Sequence, residues 1–321
     1  MVTIKDVAKL ANVSLGTTSR ALQGKGYVSE EAKNKVLAAA KELGYVVNYG
    51  AKFLKNNASN KTVGIIISAS RNDYFYHIIS SLQEVFRNHN IGLTVAFSSN
   101  NQEDELRQFK YMIGNRVSSI LFVPATDQNE EVLELAKKNN ISVIQLFVKV
   151  YKNFDAVVND DEYGCYLATN HLINSGCKKI ALLDVDYKNF KSGNVEPNRS
   201  NGLVDACKDQ NIEYKIIKHN PDKIEQSVYE QIEEFNPDGI IAGTGTTGLK
   251  ILEYLKMSSR SIKLVTFDEN EWFQYLGVTT VRQNIKKLSD VIYQLITKDN
   301  NDSNENPLFE KIPGQLIIRK Q

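Results

Sequence analysis

The feature that most constrains the fold is an alternation, along residues 61–321, of short continuous apolar runs with longer amphipathic stretches. Runs at 63–67, 92–97, 119–123 and 143–146 are separated by helical patterns at 74–88, 104–114 and 130–139. A second series follows residue 160, with runs at 179–183, 214–217, 239–242 and 263–267 and helical patterns at 198–210, 224–235 and 249–256. A strand that is apolar throughout must be covered on both faces, and helices between such strands imply parallel pairing. The body is therefore expected to be α/β, with two doubly wound parallel sheets in two lobes and a ligand crevice at the C-terminal ends of the strands.

Residues 1–47 follow a different rule. Thr3 precedes Ile4, Val7, Ala8, Leu10 and Ala11 at helical spacing, Asp6 stands in the capping-box position, and Asn12 is the stop. Ser14 is placed to cap a second helix over 15–23, which turns Thr18, Ala21 and Leu22 inward and Leu15, Gly16, Thr17, Ser19 and Arg20 outward. A third helix from about 30 to 43 should bury Ala32, Val36, Leu37, Ala40 and Leu43 and close at Gly44. Two short helices across a tight turn read as a helix-turn-helix, so an all-α three-helix head is expected ahead of the α/β body. Charge separates the same parts. The chain as a whole carries only +1, yet residues 1–60 hold nine basic against four acidic side chains, leaving the body mildly acidic. Such asymmetry suits a small head that meets a polyanion and a body with another task.

The rarer residues exclude several chemistries. Cys165, Cys177 and Cys207 form no CxxC pair and read as small buried hydrophobes in a reducing compartment. His77, His89, His171 and His219 lack ligand spacing, so no metal is expected. The start MVTIKDVAKL has no apolar run of a signal peptide, and no stretch of about 20 apolar residues could span a bilayer, which points to a soluble intracellular protein. One motif competes: 243–248 satisfies GxGxxG after an apolar run, with Asp268 about 20 residues on, the formal dinucleotide fingerprint. It falls late in the second series rather than in the first βα unit, and no catalytic His or Lys has a recognisable partner. Neither a cofactor nor a catalytic residue is expected.

The string TIKDVAKLANVSLGTTSRAL, followed by YVSEEAKNKVLAAAKELGYVVN, closely resembles the DNA-binding head of the LacI/GalR family of bacterial transcription regulators. The resemblance implies that the second helix enters the major groove, with Leu15, Gly16 and Arg20 at base-reading positions. Arg20 can contact guanine through two hydrogen bonds, whereas Gly16 offers none and Leu15 only an apolar contact, so direct readout there should be thin. Thr3, Ser14, Thr17, Ser19 and Asn48 are the candidates for phosphate contacts. Residues 48–60 resemble the family's hinge and linker, with Leu54 at the position that wedges into the minor groove. Gly50, where the family usually has a bulkier residue, would weaken a hinge helix.

The body resembles the family's sensor core, similar to periplasmic sugar-binding proteins, in Asp160-Asp161-Glu162-Tyr163-Gly164, His171-Leu172, Gly176 and Thr280-Val281-Arg282-Gln283. That implies three crossings between lobes, near 160, 284 and 308, giving lobe 1 as 61–159 with 285–307 and lobe 2 as 160–284 with 308–321. Arg199 and Asp268 match pocket positions, Thr244 occupies a pocket loop position, Gln283 can reach a ligand, and Tyr74, Phe75 and Trp272 or Phe273 are candidates to stack on a sugar. Lys149 and Lys191 are further candidates to meet a carboxylate or phosphate. The implied protein is a cytoplasmic repressor of a carbohydrate-catabolism operon. Its implied partners are pseudo-palindromic operator DNA, a second copy of itself and a sugar-like effector, with sugar acids and phosphates among the candidates. Residues 315–320 carry no leucine heptad, so a dimer is expected rather than a tetramer.

Overall fold

The structure, a computed structural model, describes residues 2–24, 26–45, 61–67, 73–186, 198–220, 224–258, 260–298 and 307–320. Its chain divides into two compact units, Met1–Asn60 and Lys61–Gln321.

The first unit holds α1 (Ile4–Ala11), α2 (Leu15–Gln23) and α3 (Glu30–Glu42). Each start is locally coded. Thr3 and Asp6 form a reciprocal capping box on α1, Ser14 Oγ accepts from Thr17 N at 3.1 Å on α2, and Ser29 Oγ accepts from Ala32 N on α3. Asn12 and Gly24 end α1 and α2 in the left-handed region, at φ 53° and 63°, where Asn and Gly are the tolerant residues. The core is built from Val7, Ala11, Ala21, Val36, Ala39 and Ala40, with Leu22 and Leu43 packed against it. Leu10 and Leu37, expected inside, are 45% and 46% exposed. Alanines at the contact let the helices approach closely, which narrows the buried stripe and leaves both leucines beside it.

The second unit contains two six-stranded sheets. In the first, β1 (Thr62–Ile67), β2 (Gly92–Phe97), β3 (Ser119–Phe122), β4 (Ser142–Leu146), β5 (Asp155–Asn159) and β11 (Phe309–Ile312) lie in the order β11-β5-β4-β3-β1-β2, all parallel. Helices α4 (Asp73–Asn88), α5 (Gln102–Gly114), α6 (Glu130–Lys138) and α12 (Ile285–Thr297) accompany it. The second sheet runs β12-β10-β9-β8-β6-β7 and comprises β6 (Lys179–Val185), β7 (Glu213–His219), β8 (Gly239–Ala242), β9 (Lys263–Phe267), β10 (Thr279–Arg282) and β12 (Gln315–Ile317). Only β12 is antiparallel. With it go α7 (Asp161–Asn174), α8 (Asn198–Cys207), α9 (Gln226–Phe235), α10 (Gly245–Ser258) and α11 (Glu271–Tyr275). Each sheet is sandwiched between two apolar clusters, as continuous apolar strands require.

The chain passes between sheets at Asn159–Asp161, at Gln283–Asn284 and at Pro313–Gly314. Placing the third crossing near 308 was therefore wrong: Phe309–Ile312 first adds as a parallel strand beside β5 in the first sheet. A four-residue strand with two charged residues in it carries too little apolar pattern to be read locally. The crossings are also tied together. Asp160 N donates to Ile312 O at 2.8 Å, and a Cβ on Gly314 would stand 2.9 Å from Arg282 O, so only glycine fits there.

One buried carboxyl makes the body pH-sensitive. Glu105 on α5 is fully buried and accepts from Ala125 N at 2.7 Å and Asn129 Nδ2 at 2.9 Å, stapling the loop after β3. Burial pushes its pKa up from 4.5 to about 7 against those two hydrogen bonds. The folded state then holds a proton that the unfolded chain releases, so stability is full below pH 4.5 and falls as pH rises toward 7. The loss should be about 3 kcal/mol. Urea midpoints at pH 5 and pH 8 are expected to show it in the native sequence and much less of it in Glu105→Gln.

Candidate functional site

In the head, the exposed surface of α2 is the candidate interface. Thr18 and Ala21 are buried while Leu15, Gly16 and Arg20 are exposed and Thr17 and Ser19 are half-buried, as their spacing predicts. Positions 15, 16, 19 and 20 share one face of the helix, and its N-terminal backbone N–H groups add positive potential at the end where Ser14 and Thr17 stand. The hydroxyls of Ser14 and Thr17 are 2.9 Å apart, and Thr3 Oγ1 donates to Asp6 at 2.7 Å, so these side chains order the helix starts as well as facing solvent. Arg20 lays its stem toward Gly26: a Cβ on that glycine, at φ 75°, would be 3.2 Å from Arg20 Cδ. Asn48, Gly50 and Leu54, with the rest of the 48–60 hinge, lie outside the described residues.

In the body, the strand order of each sheet reverses once, between β1 and β3 and between β6 and β8. Ligand crevices form at such points, outside the C-terminal strand ends. The polar cluster sits there. Asp184 near the end of β6, Thr244 after β8 and Asp268 after β9 stand at neighbouring strand ends of the second sheet. Arg199, in the first turn of α8, reaches Asp161 Oδ2 at 2.7 Å and Asp184 Oδ1 at 3.5 Å, and its guanidinium lies 4.8 Å from the centre of the Phe267 ring. Gln283 Nε2 donates to the other oxygen of Asp161 at 3.0 Å, and Lys218 pairs with Asp184 Oδ2 at 2.5 Å.

The close approach of two helices makes this cluster possible. A Cβ on Gly202 would stand 2.0 Å from Glu162 O and 2.8 Å from Tyr166 N, so α7 and α8 touch backbone to backbone. That contact carries Arg199 to Asp161, the first residue of α7. The electrostatics follow from burial. Burial raises the Asp161 carboxyl above its usual value despite Arg199 and Gln283. For Asp184 burial acts in the same direction, but Arg199 and Lys218 outweigh it and hold the carboxyl below its usual value.

The first sheet supplies an aromatic wall. Tyr74 packs 5.4 Å from Phe147 and Phe75 5.7 Å from the same ring. The Tyr74 hydroxyl is paired with the Asn159 amide, and burial, then the charge of Asp268, push its pKa well up. Phe147 and Asp268 follow β4 and β9 at φ 67° and 64°, a left-handed conformation that is costly for a bulky side chain and tends to mark functional loops. The two lobes meet through Asn270 Nδ2, which donates to Asp73 Oδ2 at 2.6 Å. Beside the cluster lies a cavity of about 670 Å³, lined by Tyr74 and His77 of one lobe, Glu269 and Arg282 of the other and Gln283 at the crossing.

Not every expected residue joins the cluster. Thr244 is at the right loop, but its hydroxyl accepts from Thr247 N at 3.1 Å and caps α10. Trp272 is 63% exposed on α11, while Phe273 is in the core. Lys149 lies over the Phe309 ring at 4.3 Å, and Lys191 is outside the described residues. Asp184, Asn159 and Phe147 are not named from sequence, and Asp161 only within the matched string 160–164, without a pocket role. Asp184 had a usable signal, a lone acid closing an apolar parallel strand. The glycines at 243 and 248 serve packing: a Cβ at Gly243 would be 2.8 Å from Leu183 O and one at Gly248 would be 2.4 Å from Thr266 Oγ1.

Among the described residues no group of three or more His, Cys, Asp and Glu could hold a metal, and no helix is long and apolar enough to cross a membrane. Residues 3–48 match the pattern of bacterial regulatory proteins of the lacI family. Residues 60–196 match the periplasmic binding proteins and sugar binding domain of LacI family, and residues 169–320 a periplasmic binding protein-like domain. The chain is 28% identical to the ribose operon repressor of Halalkalibacterium halodurans, over 100% of this chain and 97% of that protein. It is 24% identical to the sucrose operon repressor of Lactococcus lactis subsp. lactis, over 98% of each. In structure it resembles a lac repressor dimer bound to operator and the anti-inducer ONPF, at a TM-score of 0.82 and 22% identity, over 99% of this chain and 98% of the other. A CelR–cellobiose complex matches at 0.67 and 19%, over 99% of both.

Proposed function

Because the chain belongs to the LacI family of bacterial regulatory proteins, we propose that it represses a carbohydrate-catabolism operon under control of a small sugar-like effector held between its lobes. One observation carries this reading: a chain with an exposed recognition face on α2 also has a polar cluster of Arg199, Asp161, Asp184 and Gln283 at the strand ends, and Tyr74, packed on Phe75 and Phe147, stands close enough to Asp268, Asp161 and Arg199 to feel their charges. Carboxylates and amides suit hydroxyl groups, and aromatic rings suit the apolar face of a sugar. The protein works as a cytoplasmic homodimer on a pseudo-palindromic operator, without catalysis. Exposed Tyr76 on α4 and Trp272 and Tyr275 on α11 offer aromatic surface to a second copy. Closing of the lobes by the effector alters operator affinity, and the coupling is reciprocal.

The test has two arms. Operator affinity should fall with salt at a log–log slope of about −5 if the dimer neutralises some six phosphates, and a slope near zero would remove the DNA half of the proposal. Asp268→Ala should abolish the rise in melting temperature on adding the effector while operator binding in its absence is retained. Loss of both together would make Asp268 a folding residue instead.

A further inference from the structure

Two of the candidate effector groups belong to different lobes, Tyr74 to α4 and Asp268 to the loop after β9, and their segments are tied together by one side chain. We infer that Asn270 is a positioning residue for effector binding: without touching the effector, its hydrogen bond to Asp73 holds the lobes in the closed geometry in which Asp268 and Tyr74 meet the same ligand. This rests on the effector reading above and deepens it.

The bond joins two firmly held pieces of chain beside the groups it would position. Asp73 opens α4 and immediately precedes Tyr74, whose hydroxyl is paired with the Asn159 amide at the first crossing. Asn270 follows Asp268 by two residues, on a loop that lobe 2 grips from several sides. Asp268 N donates to Val281 O at 3.1 Å, while the Glu269 carboxylate accepts from Thr280 Oγ1 and from Arg319 Nη2, each at 2.5 Å. Asn270 itself is 8% exposed, and both ends of its amide are engaged. Its Oδ1 accepts from Trp272 N at 2.9 Å, which caps α11, and its Nδ2 donates to Asp73 Oδ2 at 2.6 Å. The cap fixes which way the amide points, so Nδ2 is already aimed at lobe 1 and little rotamer freedom is lost when the bond forms. A carboxylate acceptor makes it one of the stronger hydrogen bonds. The three crossings join the lobes in every conformation, whereas this bond forms only when the lobes are closed. In that geometry the two walls are within electrostatic reach, since the charge of Asp268 acts on the Tyr74 hydroxyl. A ligand that needs both walls binds with an apparent affinity scaled by the fraction of molecules in which they are together.

The test uses the full-length protein and a thermal-shift panel of ribose, glucose, fructose, sucrose, gluconate, ribose 5-phosphate and glucose 6-phosphate. The compound that binds the native sequence most tightly then serves as the probe in direct titrations. Asp73→Ala and Asn270→Ser should each weaken the probe about tenfold, and the double variant no more than either alone, because the same single bond is missing in all three. The melting temperature without ligand should stay within about 2 °C of native, since serine still caps α11 and Asp73 is exposed. Asp73→Asn keeps an acceptor oxygen for Asn270 Nδ2 and should bind the probe within about twofold of native. Unchanged affinity in both single variants, or losses that add in the double variant, would overturn the inference and leave the effector reading standing. So would an Asp73→Asn variant as weak as Asp73→Ala, which would assign the effect to negative charge at the start of α4. If no compound of the panel binds the native protein, the sugar-like effector reading falls and takes this inference with it.

Discussion

Gly202→Ala is expected to lower the melting temperature of the body by roughly 10 °C and to abolish its effector response. The added methyl would be placed 2.0 Å from Glu162 O, a backbone atom that cannot rotate away, so α7 and α8 must separate. Overpacking of this kind costs about 3 kcal/mol, and for a domain of this size each kcal/mol is worth about 2–4 °C. Separation of the helices also pulls Arg199 away from Asp161, so the ligand response should be lost even at temperatures where the body stays folded. Gly114→Ala is the control. Gly114 ends α5 with no atom within 4 Å of an added Cβ, and the same chemical change there should be neutral or stabilising by up to about 1 kcal/mol. If both variants melt alike, close helix contact is not what Gly202 provides.

Arg199→Ala should be comparably damaging for an electrostatic reason. Removing the cation strands two buried carboxylates, and breaking a buried ion pair from one side costs about 3–5 kcal/mol. The pH dependence separates this from lost packing on Phe267. In the native sequence Asp184 is held below its usual pKa, so its contribution is present at neutral pH and is lost only as pH falls through the folded value. In the variant, Asp161 and Asp184 lose the charge that favours ionisation, both folded pKa values rise, and stability recovers as pH falls. Urea midpoints should therefore differ widely at pH 7.5 and converge toward pH 5. Arg199→Met, which keeps the stem, should show the same convergence. A gap that does not change with pH would mean that packing, not charge, sets the cost.

Much of the fold was legible because its rules are local. The apolar runs that became β1, β3, β4, β6, β8 and β9 are strands buried on both faces, whose pattern does not depend on their partners. The elements that escaped are those whose stability comes from elsewhere. Phe309–Ile312 is a strand only because β5 offers it an open edge, and α12 carries an apolar face that finds its place against α4 in the first-lobe core. In the head the caps at Thr3, Ser14 and Ser29 were readable, while Leu10 and Leu37 were misread because helical spacing does not say how wide the buried stripe will be.

The candidate site divides in the same way. Arg199, Asp268 and Gln283 could be named from matched positions, but nothing in the string around residue 199 says that two carboxylates, 38 residues before and 15 residues before it, will close on its guanidinium. The sequence by itself determined a three-helix head with a polar outward face on its second helix, and a body of parallel strands with polar residues at their C-terminal ends. Periodicity, caps and apolar runs are properties of neighbouring residues, so they survive being read in one dimension. Only the tertiary structure decided which charged groups meet in the site. The approach of α7 to α8 at Gly202 brings Asp161, Asp184 and Arg199 within bonding distance, and in a buried site the sum of charges at a few ångströms outweighs the identity of any one of them.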